Sequence, residues 1–136
     1  MPSLYMYRVF ISHAWDYSGA YATVKGWLDD AKYFSWANYS VPPENALGGK
    51  TKKELQAGLS KQIAMSQVVI IISGMYVAHS DWIQYEIDEA KRMGKPIIGI
   101  KPWGSERTPQ AVQDAANEMV GWNSASVVDA IRRLVN

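Results

Sequence analysis

Apolar and polar positions along this chain alternate between two periods, a strand-like run and then a helix-like stripe, five times over. Arg8-Val-Phe-Ile-Ser12 is a short β-rich run and predicts the first strand. Tyr17, Tyr21, Val24 and Leu28 recur at helical spacing and predict one amphipathic helix. Asn38-Tyr-Ser-Val41 predicts a short second strand, stopped by Pro42-Pro43. Two prolines and Gly48-Gly49 make the stretch from Pro42 to Lys50 a loop. Leu55, Leu59 and Ile63 mark the next helix, opened by Thr51 with Glu54 three residues on, a capping-box pattern. Gln67 to Ser73 holds Val-Val-Ile-Ile-Ile, apolar on both faces as in a central parallel strand, and Gly74 ends it. Ser80 is placed to cap a helix running to Met93, closed by Gly94 and Pro96. Pro96-Ile-Ile-Gly-Ile100 predicts a fourth strand. A short helix around Pro109 to Asn117 leads to a weak fifth strand, Met119 to Trp122. Ser126 with Asp129 opens the last helix, whose apolar face is Val127, Ile131 and Leu134.

Five strands alternating with five helices predict an α/β three-layer sandwich, an open parallel sheet with helices on both faces. Crossovers are right-handed. Because the third and fourth strands are the most apolar, the expected order is the flavodoxin-like 2-1-3-4-5. Ligands in such sheets sit outside the carboxyl ends of the strands, near the switch point between strands 1 and 3. Two segments therefore carry the interest: Ser12 to Asp16 after strand 1, and Ser73 to Glu86 after strand 3.

A length of 136 residues, 48% of them hydrophobic and 20% charged, fits a single globular domain over 1–136. A formal charge of +1 gives no general attraction for nucleic acid, so none is expected as a partner. The absence of cysteine excludes disulfides and thiolate zinc sites and fits a reducing compartment. The longest apolar run, Val68 to Ile72, is far below the roughly 20 residues that span a bilayer. Met1 to Tyr7 lacks the pattern of a signal peptide. A cytoplasmic location without membrane association is the expectation.

The two loops exclude several occupants of this fold. A phospho-acceptor receiver needs acidic residues after strand 1 and an aspartate ending strand 3, where this chain has Ser12-His13 and Ser73-Gly74. A glycine-rich phosphate cradle needs glycines after strand 1, where Ser12-His-Ala-Trp-Asp16 stands instead. Gly48-Gly49-Lys50-Thr51 has a phosphate-loop flavour but lacks the preceding strand. His13 and His79 have no i+4 partner, so no metal is expected. His13 nonetheless falls in the expected crevice, open to either a ligand role or a structural hydrogen bond.

Ser80-Asp-Trp-Ile-Gln-Tyr-Glu86 carries the strongest chemical signal. Ile83, Ile87, Ala90 and Gly94 form the core face of this helix, and Trp82, Glu86, Glu89 and Met93 lie one step round, at the edge between core and solvent. Trp82 and Glu86 are neighbours four residues apart. An indole beside a carboxylate at a ligand-binding edge suits a cationic or ribosylated ring. A core-packing Trp82 with a solvated Glu86 fits the spacing equally well.

These residues resemble the TIR-like domains of the DUF1863 (MTH538-like) family, related to the TIR-like B subunit, ThsB, of Thoeris anti-phage systems. The resemblance rests on Arg8-Val-Phe-Ile-Ser-His13, Ser40-Val-Pro42, Trp82-Ile-Gln-Tyr-Glu-Ile87, Lys95-Pro-Ile-Ile-Gly-Ile100 and Val120-Gly-Trp-Asn123. It implies that Glu86 is the catalytic carboxylate and that Trp82 shapes the pocket. It also implies that Ser12, His13 and Trp15 after strand 1, with Ser40 after strand 2, flank the substrate. The compact Ser-His-Ala-Trp-Asp segment departs from the phenylalanine-rich version in some Thoeris proteins and leaves the acceptor open.

The activity so implied is cleavage of the nicotinamide–ribose bond of NAD, as substrate rather than cofactor, with formation of a cyclic ADP-ribose isomer as a signal. Expected partners are NAD, a second copy of the chain, and a separate effector sensing the product. A pyridinium leaves as neutral nicotinamide, so no general acid is needed, unlike ordinary glycoside hydrolysis. Trp15, Trp36 and Trp103 suit an aromatic interface between copies, or simply the covering of the sheet's ends. The rival reading from another class is a non-catalytic TIR-like interaction module with Glu86 on its surface. A nucleoside deoxyribosyltransferase-like enzyme shares the fold, but the Trp-x-x-x-Glu setting argues against it.

Overall fold

The computed structural model describes residues 5–12, 19–40, 51–76, 80–101 and 107–135. In chain order the elements are β1 Met6–Ile11, α1 Ala20–Asp30, β2 Ser35–Asn38, α2 Lys52–Met65, β3 Val68–Ile72, α3 Ser73–Tyr76, α4 Ser80–Arg92, β4 Ile97–Ile100, α5 Gln110–Ala115, β5 Glu118–Val120 and α6 Ser124–Leu134. The five strands form one sheet in the order β2-β1-β3-β4-β5, every neighbouring pair parallel. This is the expected doubly wound α/β sandwich. α1 packs on α6, while α2 packs on α4 and α4 on α5. Right-handed crossovers put the first pair on one face and the other three on the opposite face.

The sheet centre explains the runs without alternation. All five residues of β3 and all four of β4 are buried, because helices cover both faces. Gly99 in β4 has a steric reason to be glycine: a Cβ there would lie 2.4 Å from the Met119 sulfur on β5 and 3.1 Å from a Val112 methyl on α5. The capping box at Thr51 forms as expected, with the hydroxyl accepting from the Glu54 N–H and the Glu54 carboxylate accepting from the Thr51 N–H. Gly94 adopts φ +69, and the Gly94 and Lys95 N–H groups donate to the Lys91 and Ala90 carbonyls. That pair of bonds is a Schellman stop, and it needs a residue tolerant of the left-handed region.

Several element boundaries differ from expectation, among them β1, Met6–Ile11 rather than 8–12, and β5, Glu118–Val120 rather than 119–122. β2 spans Ser35–Asn38 rather than 38–41. The Asn38 side chain accepts the Ser40 N–H and bends the chain away after one last ladder bond from Tyr39 to Val9. β3 ends at Ile72, and Ser73–Tyr76 form a separate helical turn instead of a simple stop at Gly74. α4 already includes Ser80 as its first residue. α6 starts three residues earlier than expected because Asn123, not Ser126, is the cap, its side chain accepting from the Ser126 N–H. Gly94, assigned to the core face of α4, is exposed at that helix's end. Tyr17, Val41 and the loop from Pro42 to Lys50 lie outside the described residues, as do His79 and Trp103. Trp36 lies within β2, half-buried, its indole N–H donating to Asp29 at 3.0 Å. Among the described residues no helix is long and apolar enough to cross a membrane.

Candidate active site

Five polar side chains are buried among the described residues: Ser12, Ser40, Ser66, Ser73 and Glu86. Ser66 precedes β3, and its hydroxyl donates to the Ile63 carbonyl at the amino edge of the sheet. The other four gather at the opposite edge. Ser40, Ser12 and Ser73 follow the carboxyl ends of β2, β1 and β3, three strands adjacent in space, and Glu86 descends on them from α4. The switch point between β1 and β3 is therefore a polar spot in an apolar surround, where this fold places its ligands.

Local sequence explains each placement. The register Ile11↔Ile70 and the bond from the Ser12 N–H to the Ile70 carbonyl, 2.9 Å, hold Ser12 in the sheet one residue past β1. The Ser40 hydroxyl accepts the Ile11 N–H at 2.9 Å, so Ser40 ties the exits of β1 and β2 together. On α4, Ile83, Ile87 and Ala90 face the core and are buried. At 100° per residue Glu86 lies about 60° round from Ile83, which is why spacing alone put it at the edge between core and solvent. That expectation is corrected: Glu86 is 1% exposed. The flank on which it sits is the seam between α4, α2 and the exit of β1. There the Ser60 hydroxyl of α2 meets Tyr85 and Glu89 of α4, each at 2.6 Å, closing the helices together. Trp82, one turn before Glu86, is half-buried and packs against the core.

The structure thus joins Ser12 to Glu86, the Ser12 hydroxyl donating to Oε1 at 2.7 Å. It places Ser40 beside them as a strut and Trp82 one helical turn away. His13 and Trp15, expected to flank a substrate, lie outside the described residues. Ser73 was not singled out as a site residue. The signal was present in the sequence, as a serine ending a run of five aliphatic residues where a hydrophobe would serve the core better.

Two carboxyls three residues apart on α4 have opposite electrostatics. Burial pushes Glu86 up to about 8 from its ordinary 4.5, opposed by the Ser12 hydrogen bond. Glu89 is held down at about 2 by the Arg92 guanidinium and the Ser60 hydroxyl. At neutral pH Glu89 is a fixed anion in an exposed ion pair, and Glu86 is mostly a neutral, buried acid. The contrast separates a carboxyl held in an ion pair with Arg92 from a buried one, and the buried one is the candidate for chemistry. Replacing Ser12 with alanine should drive the Glu86 midpoint further up, since it removes a hydrogen bond favouring the ionised form. An infrared titration of the protonated-carboxyl band checks this, and an unmoved midpoint would show that the bond does not bear on the charge. Among the described residues no cluster of acidic, histidine or cysteine side chains could hold a metal.

Sheet order and helix placement define a flavodoxin-like α/β domain with a buried acid at the β1/β3 switch point. The family model of the Thoeris protein ThsB TIR-like domain matches residues 10–107, most of the chain, including Ser12, Ser40, Ser73, Trp82 and Glu86. The chain belongs to this family and is a TIR-like protein of the Thoeris defence group. No curated protein matches it.

Proposed function

We propose that this domain processes NAD, breaking the nicotinamide–ribose bond and forming a cyclic ADP-ribose isomer as a signal in anti-phage defence. The observation that carries this reading is Glu86, a fully buried carboxyl hydrogen-bonded to Ser12 at the carboxyl edge of the sheet. Membership in a Thoeris TIR-like family supports the choice of chemistry.

In the reaction the C1′–N1 bond breaks with both electrons leaving on the neutral nicotinamide. Positive charge appears on the ribosyl C1′ and ring oxygen. An ionised Glu86 stabilises that charge in a low-dielectric pocket, where electrostatic stabilisation is strongest. Ser12 fixes the carboxyl's orientation, and Trp82 offers an aromatic surface one turn away. A nucleophile within the ADP-ribosyl group then captures C1′ and gives the cyclic product, whereas water would give ADP-ribose. The cytoplasm, where NAD and an effector would be met, is the location this reading requires, and a second copy of the chain would help exclude water from so small a site.

Incubation of concentrated protein with NAD, followed by chromatography and mass spectrometry, tests the reading. Nicotinamide release with a product of ADP-ribose mass less one water is the expected result. No nicotinamide at high protein concentration, with Glu86→Gln indistinguishable from wild type, would leave an interaction module in which the Glu86–Ser12 bond is purely structural.

A further inference from the structure

Among the described residues, one buried side-chain polar atom has no hydrogen-bond partner: the hydroxyl of Ser73. Its residue is 0% exposed. Buried hydroxyls in native proteins are nearly always satisfied, and an orphan calls for an explanation. The other three buried serines meet this rule, Ser12 through Glu86, Ser40 through the Ile11 N–H and Ser66 through the Ile63 carbonyl. Ser73 alone is left open.

Its position suggests what would close it. With Ile11 opposite Ile70, Ser12 is level with Ile71 on the neighbouring strand, and Ser73 stands two residues further on. It is therefore one strand across from Ser12 and nearer the carboxyl edge, just past the end of β3. β3, α3 and α4 pack on one another around it, so the helix that carries Glu86 also covers Ser73. Core packing gives no reason for a hydroxyl here, since the five preceding residues are aliphatic and fully or almost fully buried. A serine hydroxyl both donates and accepts, which suits a neutral hydroxyl better than a phosphate or a cation.

We propose that Ser73 is a ligand-contacting residue of the Glu86 site, exchanging hydrogen bonds with a sugar hydroxyl of the bound ribosyl group. The inference rests on the reading of that site as ribosyl-binding. Glu86 and Ser12 form one end of the site, and Ser73 adds a third hydrogen-bonding group further toward the carboxyl edge of the sheet. The free protein tolerates an unsatisfied hydroxyl, and the bound ligand satisfies it.

The test compares wild type, Ser73→Ala and Ser73→Cys, the last close to serine in size but a weak hydrogen-bonder. Each is assayed for thermal stability without ligand, for binding of carba-NAD by calorimetry, and for kcat and KM with NAD and with NAD deoxygenated on the nicotinamide ribose. Without ligand, Ser73→Ala should melt at or slightly above wild type, because the hydroxyl it removes has no partner to lose. Carba-NAD affinity and kcat/KM for NAD should both fall about 5- to 50-fold, with Ser73→Cys following alanine. Wild type should discriminate against a deoxy substrate and Ser73→Ala should not, as expected when two changes delete one shared bond. Variants that bind and cleave NAD as wild type does would overturn the assignment of Ser73 and leave the NAD reading intact. A Ser73→Ala protein that melts well below wild type would also overturn it, since the hydroxyl would then be structural. If wild type itself neither binds carba-NAD nor cleaves NAD, the ribosyl reading of the whole site fails, and the role of Ser73 with it.

Discussion

Glu86→Gln should sharply slow nicotinamide release and, at the same time, make the protein more stable at pH 7. The two effects have one origin. A carboxyl whose folded value is about 8 against an ordinary 4.5 keeps its proton in the folded state through a range where the unfolded chain has lost it. Its favourable contribution is therefore complete below pH 4.5, declines as pH rises toward 8, and is constant above that. At pH 7 the decline has run over roughly 2.5 pH units, or about 3 kcal/mol at 1.36 kcal/mol per unit. Glutamine has the same shape, carries no charge at any pH, and still offers an oxygen to the Ser12 hydroxyl. The variant escapes that decline, so the gap between variant and wild type should be small at pH 5 and about 3 kcal/mol at pH 7. Urea unfolding at those two pH values, with unchanged slope, measures it. Catalysis should move the other way, since losing one preorganised electrostatic group costs on the order of 100- to 1000-fold in kcat. A site that destabilises its own fold while doing chemistry is a recognised trade-off. A glutamine variant less stable than wild type at pH 7 would instead indicate that Glu86 serves the fold as an anion.

The sheet was legible because its signals are local. Val68 to Ile72 and Ile97 to Ile100 are apolar on both faces, and only a parallel strand covered by helices on both sides buries such runs. The alternation of elements then leaves few topologies, and the observed order is the one those two strands favour. Boundaries failed where a side chain outside the periodic pattern decided the matter. Asn38 ends β2 by accepting the Ser40 N–H, and Asn123 starts α6 by accepting from Ser126. Neither shows in hydrophobic periodicity.

The site was half legible for a related reason. Helical arithmetic correctly made Glu86 a neighbour of the apolar face but could not say what covers that flank. The cover comes from α2, whose register against α4 is set by Ser60, Tyr85 and Glu89, residues 25 and 29 positions apart. Glu89 looked equivalent to Glu86 on the helix wheel. Its separate fate follows from Arg92, three residues on, which keeps it ionised. Ser73 needed the tertiary structure, because a missing partner has no sequence pattern.

The pH profile of NAD cleavage should reveal the same carboxyl from the kinetic side. Only the ionised form of Glu86 stabilises positive charge on the ribosyl carbon, and with a value of about 8 roughly a tenth of the free protein is ionised at pH 7. Since kcat/KM reports the free enzyme, it should climb about tenfold per unit from pH 6 and level off above 8. The complex behaves differently. The pyridinium of NAD places a positive charge beside the carboxyl and favours its anion, lowering the Glu86 value in the bound state. The rise in kcat should therefore come at lower pH than the rise in kcat/KM. By linkage, NAD binding at pH 7 should expel close to one proton, and affinity should strengthen as pH increases toward 8. Calorimetry with a non-cleaved NAD analogue, repeated in buffers of different ionisation enthalpy, counts that proton directly. Reduced NAD, whose nicotinamide ring is neutral, should expel none. A profile flat from pH 6 to 9 would exclude a buried acid as the group that must ionise. Proton release that is equal for the oxidised and reduced dinucleotides would separate that ionisation from the ring's charge. The burial that makes Glu86 costly to the fold also lets the substrate's own charge set its ionisation, so the carboxylate forms when a cationic ring is present to use it.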